Sequence, residues 1–348
     1  MFHGTNGNAL AWVNEIENRQ LSNRLMASDY GIIAITSEES EFEMDFNNDG
    51  NYRWSYGIDS NLIDIANIRA IRDALFAIGK YNETTPHIAL GFSAGGAFTE
   101  FVANVLHWKA AVNHNTSGSP VLSENGIIPY FHCISENDNH PDVGAAGNQE
   151  AVANYQNYLD RDACVVFETF LKMPLYPERF DRSSLITESL SKAIFNEIRM
   201  NNGLDENNYL KGLYDDFEQV VLNNIPDFPV IASLTIPQRN HVKDQIQTTN
   251  AEHHFKADFN GRTVEFIQSV CYTTKTEDFS DQVNEPVLIT PNPAMDFITF
   301  AVDGPIRIYS ASGQLMNVCT DSFQDISTYQ PGLYIVKSNK GCARFVKM

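Results

Sequence analysis

Gly91-Phe92-Ser93-Ala94-Gly95-Gly96 sets a serine between glycines, directly after the apolar run His87–Leu90 and directly before the helix-period run Ala97–Leu106. A Gly-x-Ser-x-Gly in that setting predicts a sharp strand-to-helix turn. The glycines are needed because the turn strains the backbone and leaves no room for side chains where strand and helix meet. Ser93 is thereby lifted toward solvent at the positive end of the following helix, where negative charge developing beside a nucleophilic hydroxyl is stabilised. An inert glycine-rich turn is the plainer alternative, and the strand before and helix after weigh against it.

A second small-residue loop, His3-Gly4-Thr5-Asn6-Gly7, follows an apolar stub and precedes a helix expected near Ala9. Such a loop can turn main-chain N–H groups toward an oxyanion, so the N–H groups of Thr5 and Ala94 form the expected oxyanion hole. A serine nucleophile also needs a base, and the base an orienting carboxylate. Where a serine sits on such an elbow, its partners follow in the order serine, acid, histidine. Asp138, in Ser135-Glu136-Asn137-Asp138-Asn139-His140, lies just past an expected strand and is the candidate acid, with Glu136 and Asp142 as competitors. For the base, His241, His253 and His254 qualify by order. Ala251-Glu252-His253-His254-Phe255 stands a few residues before the last expected helix, which is the better position. His253 is preferred because Phe255, two residues on, is free to pack beneath the loop, and His254 is the alternate base.

Other clusters have blander readings. The histidine doublet beside Glu252 suggests metal, but spacing places no further ligand, so neither a metal nor a cofactor is expected. Asp45-Phe46-Asn47-Asn48-Asp49-Gly50 opens like a calcium loop, yet its twelfth position is Tyr56 rather than a bidentate Glu, so a polar surface loop is expected. Five scattered cysteines without a Cys-x-x-Cys pair make no disulfide scaffold, and Cys133 and Cys164 read as buried thiols in strands.

The elements that must bring these side chains together follow from periodicity. Continuous apolar runs at Tyr30–Thr36, His87–Gly91, Lys109–Val112, Ile128–Ile134 and Cys164–Phe167 alternate with helical segments, which predicts an α/β class: a mostly parallel sheet at least five strands wide. Helices are expected where Leu62, Ile65, Ile68, Ile71, Leu75 and Ile78 recur before Gly79, near Asn148–Leu159, and from Gly261 to Cys271. Residues about 183–240 carry helical patterns without a new strand and read as an inserted cap. A polar linker at 275–285 separates a first domain, 1–274, from a tail, 286–348, whose short strands and turn signals predict a small all-β sandwich.

Composition bounds the partners. In 348 residues, 43% hydrophobic and 20% charged residues suit a globular chain, and 24 Lys+Arg against 44 Asp+Glu give a net charge of −20. That charge repels a polyphosphate backbone, so no nucleic acid is expected as partner. No stretch approaches the ~20 apolar residues of a membrane-spanning helix. Met1-Phe2-His3-Gly4 lacks the basic and apolar regions of a secretory signal and looks like the end of a buried strand, so a missing N-terminus is expected.

With these residues laid out, positions 1 to about 271 resemble the α/β-hydrolase fold, and most closely the secreted esterases grouped with polyhydroxybutyrate depolymerases and feruloyl or acetylxylan esterases. His3-Gly4-Thr5 resembles that family's oxyanion loop, Gly91–Gly96 its elbow, and Ile128 through Asp138 its acid-bearing strand and loop. The chain departs from the pattern in lacking the fold's first strands and the usual Gly before the acid. Thr290-Pro291-Asn292-Pro293-Ala294, Ile306–Gly313, Asp325-Ile326-Ser327, Pro331–Val336 and Arg344–Lys347 resemble the type A C-terminal sorting domain of type IX secretion. Together the resemblances imply a secreted serine hydrolase of carboxylic esters, possessing a Ser93–His253–Asp138 triad and exported across the outer membrane of a Gram-negative bacterium by the type IX secretion machinery. The implied partner is an ester substrate, carbohydrate-linked or polymeric. A serine peptidase of the same fold and a catalytically silent glycan- or polymer-binding protein are the competing expectations.

Overall fold

A computed structural model describes residues 1–269, 289–292, 294–300, 306–310, 315–320, 322–338 and 342–347. The chain divides into two compact units, Met1–Tyr272 and Thr273–Met348. The first is built on four parallel strands, β1 (Ile88–Phe92), β2 (Ala110–His114), β3 (Tyr130–Ser135) and β4 (Val165–Phe170), in the order β1-β2-β3-β4. Leu90 pairs with Val112, Val112 with Phe131, and Phe131 with Val166. Every residue of β2 and β3 is buried, which is why their sequences read as unbroken runs rather than alternating ones.

Helices cover both faces: α1 (Ala9–Asn14), α2 (Ile16–Met26), α3 (Glu38–Phe42), α4 (Ile63–Ala77), α5 (Ala94–Val105), α6 (Pro120–Asn125) and α7 (Gly144–Asp160). Successive strand residues point to opposite sides. Leu90, Val112 and Phe131 therefore join Trp12, Leu21 and Leu25 in one core, while Ala89, Ala111 and Tyr130 meet Ile65, Phe98 and Tyr158 in the other. Local chemistry starts the helices. Asn8 accepts from Ala11 N at 2.8 Å ahead of α1, and Ser119 caps α6, with Pro120 at its first position.

The expected strand Tyr30–Thr36 does not form a ladder, so the sheet is four strands wide rather than five. Met1–His3 lies between that segment and β1. The Met1 ammonium donates to Ile33 O at 2.7 Å, Ile35 N donates to Met1 O at 3.1 Å, and Phe2 N donates to Leu90 O at 2.9 Å. Phe2 thus makes single parallel bridges to Ile35 and to Gly91. Pairing through one residue ties an extended segment down without building a strand. A second correction concerns Cys164, which is disulfide-bonded rather than a free thiol; Cys133 is free and buried.

After β4 the chain forms α8 (Glu188–Met200), α9 (Tyr214–Asn223), α10 (Pro229–Ser233) and α11 (Ile236–Thr249). These pack around Phe180, Ile194, Phe195, Ile198, Phe217, Phe228 and Ile246, a core of their own. It gathers residues from Leu175 to Ile246, a wider span than the expected 183–240, and Gln245 Nε2 on α11 donates to Glu17 Oε1 of α2 at 3.0 Å. Helix α12 (Asn260–Ser269) closes the unit.

The second unit is antiparallel throughout its described strands. One sheet orders β11-β10-β7-β8 and the other β5-β6-β9, from β5 (Ile289–Thr290), β6 (Phe297–Phe300), β7 (Ile306–Ser310), β8 (Leu315–Cys319), β9 (Phe323–Asp325), β10 (Gly332–Lys337) and β11 (Cys342–Lys347). Ile298 and Phe300 from one sheet and Ile308, Val336 and Phe345 from the other share a core. The expected linker 275–285, Pro293 of the Thr290–Ala294 block and the Ser312-Gly313 turn lie outside the described residues.

Candidate active site

Ser93 stands between β1 and α5 at φ 54° and ψ −126°, a left-handed conformation that costs on the order of 1–3 kcal/mol for a residue with a Cβ. Neighbouring main chain holds it there: Ser93 N donates to His114 O at 2.8 Å, and Ala97 N donates to Ser93 O at 3.0 Å. The turn is pressed against the first residues of the chain. A Cβ on Gly95 would come within 2.2 Å of Phe2 O and 2.4 Å of His3 O, so glycine alone permits this approach.

The His3–Gly7 loop is fixed from beneath and from the side. The buried His3 ring accepts from Ser37 N at Nε2, 3.0 Å, so Nδ1 carries the proton and donates to Gly4 O at 2.6 Å. Burial holds this imidazole below the usual histidine range. Trp54 Nε1 donates to His3 O at 2.9 Å, Asn6 N to Tyr52 O at 2.9 Å, and Tyr52 N to Asn6 Oδ1 at 2.7 Å. Tyr56 Oη donates to Ala94 O at 3.1 Å. The N–H groups of Thr5 and Ala94 are left without an acceptor among the described residues.

His253 Nε2 lies 2.9 Å from Ser93 Oγ and His253 Nδ1 lies 2.7 Å from Asp138 Oδ2. The other carboxylate oxygen accepts from His140 N at 3.0 Å and Gly144 N at 3.3 Å. A buried carboxylate that accepts on both oxygens fixes the tautomer: Nδ1 donates to Asp138, and Nε2 is left to accept the Ser93 hydroxyl proton. The acid and base loops are stitched together by Asn137, whose N donates to Ala251 O at 2.9 Å and whose Nδ2 donates to Asn250 O at 2.8 Å. Phe255 packs on Trp12, Phe92 and His114, the anchoring expected of it beneath the loop.

The alternates go elsewhere. The imidazole bonded to Ser93 is that of His253, not His254; desolvation lowers the His254 imidazole to about 4, and its carbonyl accepts from Asn115 Nδ2 at 3.3 Å. His241 sits within the helical region, bonded to Phe180 O at 2.9 Å. Asp142 pairs with Arg53 at 2.9 Å, and Glu136 accepts from Lys172 N at 3.0 Å. In the calcium-like segment, Asp45 accepts from Gly50 N at 2.7 Å and Asp49 N at 3.2 Å, a loop closed on its own amides.

Sequence reasoning missed several neighbours. Trp54 and Tyr56 come from a loop with no periodicity to mark it. The His140 ring lies tilted against the His253 ring with centroids 4.5 Å apart, and burial is the main cause that lowers its own pKa. Glu252 is fully buried, though its place beside two histidines suggested only metal. Chemically, the assembled groups have the arrangement that acyl transfer uses: a hydroxyl bonded to an imidazole and the imidazole bonded to a carboxylate. The chain matches no family model, no curated protein and no solved structure.

Proposed function

We propose that this chain is a secreted serine hydrolase of carboxylic esters, of the α/β-hydrolase type. The observation that carries the reading is the hydrogen-bonded series Ser93 Oγ, His253 Nε2, His253 Nδ1, Asp138 Oδ2, with Ser93 held at a strained elbow. In the reaction Ser93 Oγ attacks the acyl carbon while its proton passes to His253 Nε2, and Asp138 stabilises the resulting imidazolium. The carbonyl oxygen takes the charge and is met by the N–H groups of Thr5 and Ala94. Collapse breaks the acyl–oxygen bond, and His253 returns its proton to the leaving alcohol. Water then repeats the sequence on the acyl-serine and releases the acid.

Export through the type IX machinery is the accompanying proposal for the tail. Its support is that the Thr290–Ala294 block is wired to the final strand: Asn292 Nδ2 donates to Arg344 O at 3.0 Å, and Val346 N donates to Asn292 Oδ1 at 3.0 Å. The disulfide at Cys164 suits an oxidising compartment.

The test is a fluorophosphonate probe together with a panel of short acyl esters, feruloylated and acetylated glycans, and polyesters. Labelling of the wild type that disappears in Ser93→Ala, with hydrolysis of at least one ester class, is expected. A folded wild type that neither labels nor hydrolyses refutes the reading.

A further inference from the structure

We infer that Glu252 is a positioning residue that joins the helical cap to the catalytic imidazole, an inference that rests on the triad reading above. Its side chain is fully buried and surrounded by donors. Tyr214 N, at the first residue of α9, donates to Oε1 at 2.7 Å, Asn250 Nδ2 donates to Oε1 at 2.8 Å, and Asn139 Nδ2 donates to Oε2 at 3.1 Å. Each partner belongs to a different part of the site. Tyr214 starts a cap helix, Asn139 follows the acid Asp138, and Asn250 opens the base loop. Asn250 Nδ2 also reaches Gly212 O at 3.0 Å, a second tie to the segment leading into α9.

The link to the base runs through one more bond. Asn139 receives His253 N on its Oδ1 at 3.4 Å, so the amide that donates to Glu252 also accepts from the residue that carries the imidazole. Because all of these partners donate, the position calls for an acceptor on both oxygens, which a carboxylate supplies and an amide does not. In Glu252→Gln the new NH2 meets either Tyr214 N and Asn250 Nδ2 or Asn139 Nδ2. Asn139 can relieve the second clash by turning over, but its own NH2 then faces His253 N. The error is passed to the imidazole, whose two bonds at 2.7 and 2.9 Å leave little tolerance. Burial raises the Glu252 pKa, as expected for a carboxylate enclosed by protein, and Asp215 on α9 adds to that rise.

The experiment compares wild type, Glu252→Gln and Asn139→Ala. It uses two readouts: the low-field proton resonance of the imidazole N–H shared with Asp138, and the second-order rate of fluorophosphonate labelling. Asn139 is exposed at the rim, so Asn139→Ala keeps the fold and decides the matter if Glu252→Gln does not fold. Expected are loss or broadening of the resonance and labelling at least tenfold slower in both variants, with KM for a reactive ester within about twofold of wild type and kcat carrying the loss. A resonance and labelling rate in Asn139→Ala equal to wild type overturn the inference. If the wild type shows the resonance but never labels, the esterase reading fails while the resonance in Asn139→Ala still decides the positioning role. A wild type with neither signal overturns both.

Discussion

Gly95, like Gly91 and Gly96 beside it, has no room for a Cβ, and at Gly95 the obstacle is the His3–Gly7 loop. The elbow and the His3–Gly7 loop are remote in sequence, yet the carbonyls of Phe2 and His3 occupy the space a Cβ at position 95 would need, at 2.2 and 2.4 Å. Main chain cannot swing aside as a long side chain does, so Gly95→Ala must push the His3–Gly7 loop away from Ser93 or distort the start of α5. The expected cost is about 1–3 kcal/mol of stability. The Thr5 N–H also moves away from the oxyanion, and losing one such donor is worth about 10²–10³ in kcat. Urea midpoints and ester turnover of the variant measure the two effects separately; an active Gly95→Ala of unchanged midpoint would mean that the two loops are not in this contact. Ser93 and Asp138 were legible in the sequence because each lies within a few residues of the strand that presents it. The choice between His253 and His254 was not settled by spacing. The hydrogen bonds that distinguish His253 reach residues 115 and 160 positions away, distances over which local pattern carries no information.

At the scale of elements, ion pairs tie the start of the helical region after β4 to α2 and to the segment before α12. Arg179 is fully buried just before α8 and bonds Asp258, ahead of α12, at 3.0 Å, with Glu17 of α2 at 3.8 Å. Arg182 reaches the same two carboxylates at 3.5 and 3.4 Å. Removing one member of such a buried group leaves uncompensated charge, so Arg179→Met is expected to destabilise by about 3–5 kcal/mol. Faster amide hydrogen exchange across α8 to α11 than across β1 to β4 would report that the loss falls on the cap seam. Protection that falls uniformly over the whole unit would argue that cap and sheet are one cooperative body, with Arg179 no seam at all. None of this network was visible beforehand, since its ion pairs join residues 76 to 165 positions apart and each alone reads as a surface charge. By contrast, helix α4 and strands β1 to β4 were readable, because apolar residues repeating at 3.6 or running unbroken are the direct imprint of one covered face or two. The short strands β5 and β9, two and three residues long, were not expected; segments of that length contain too few residues to show a period.

For the molecule as a whole, buried ionisable side chains make stability depend on pH, and three of them beside the sheet carry clear and opposite signs. Desolvation lowers His114 to about 3 and His132 to about 4, and raises Glu100 to about 7. His114 lies among Phe131, Phe170 and Phe255 with neither ring nitrogen bonded, so it must stay neutral when folded. For a histidine whose folded pKa is depressed, the unfolded chain binds the proton first as pH falls below its ordinary value of 6.5; stability is then lost on acidification until the folded pKa is reached. Glu100 has the opposite sign. Its carboxyl, bonded by Ser119 N and Tyr158 Oη, keeps its proton in the fold up to about 7, so stability is lost as pH rises from 4.5 to that value. Across pH 4.5 to 6.5 the two signs oppose each other: His254, lowered to about 4, adds to the histidines, while Glu15, raised to about 7, and Asp244, raised to about 6, add to the glutamate; the histidines' share is the acid limb. Each histidine contributes a slope of at most about 1.4 kcal/mol per pH unit. His114→Leu, close in volume and without a proton to gain, is expected to flatten the acid limb by nearly that slope between pH 6 and 4, while Glu100→Gln flattens only the segment from pH 4.5 to 7. Urea midpoints across pH 3.5–8 for the three proteins measure these slopes; an acid limb equally steep in His114→Leu would show that the imidazole is not held neutral in the fold.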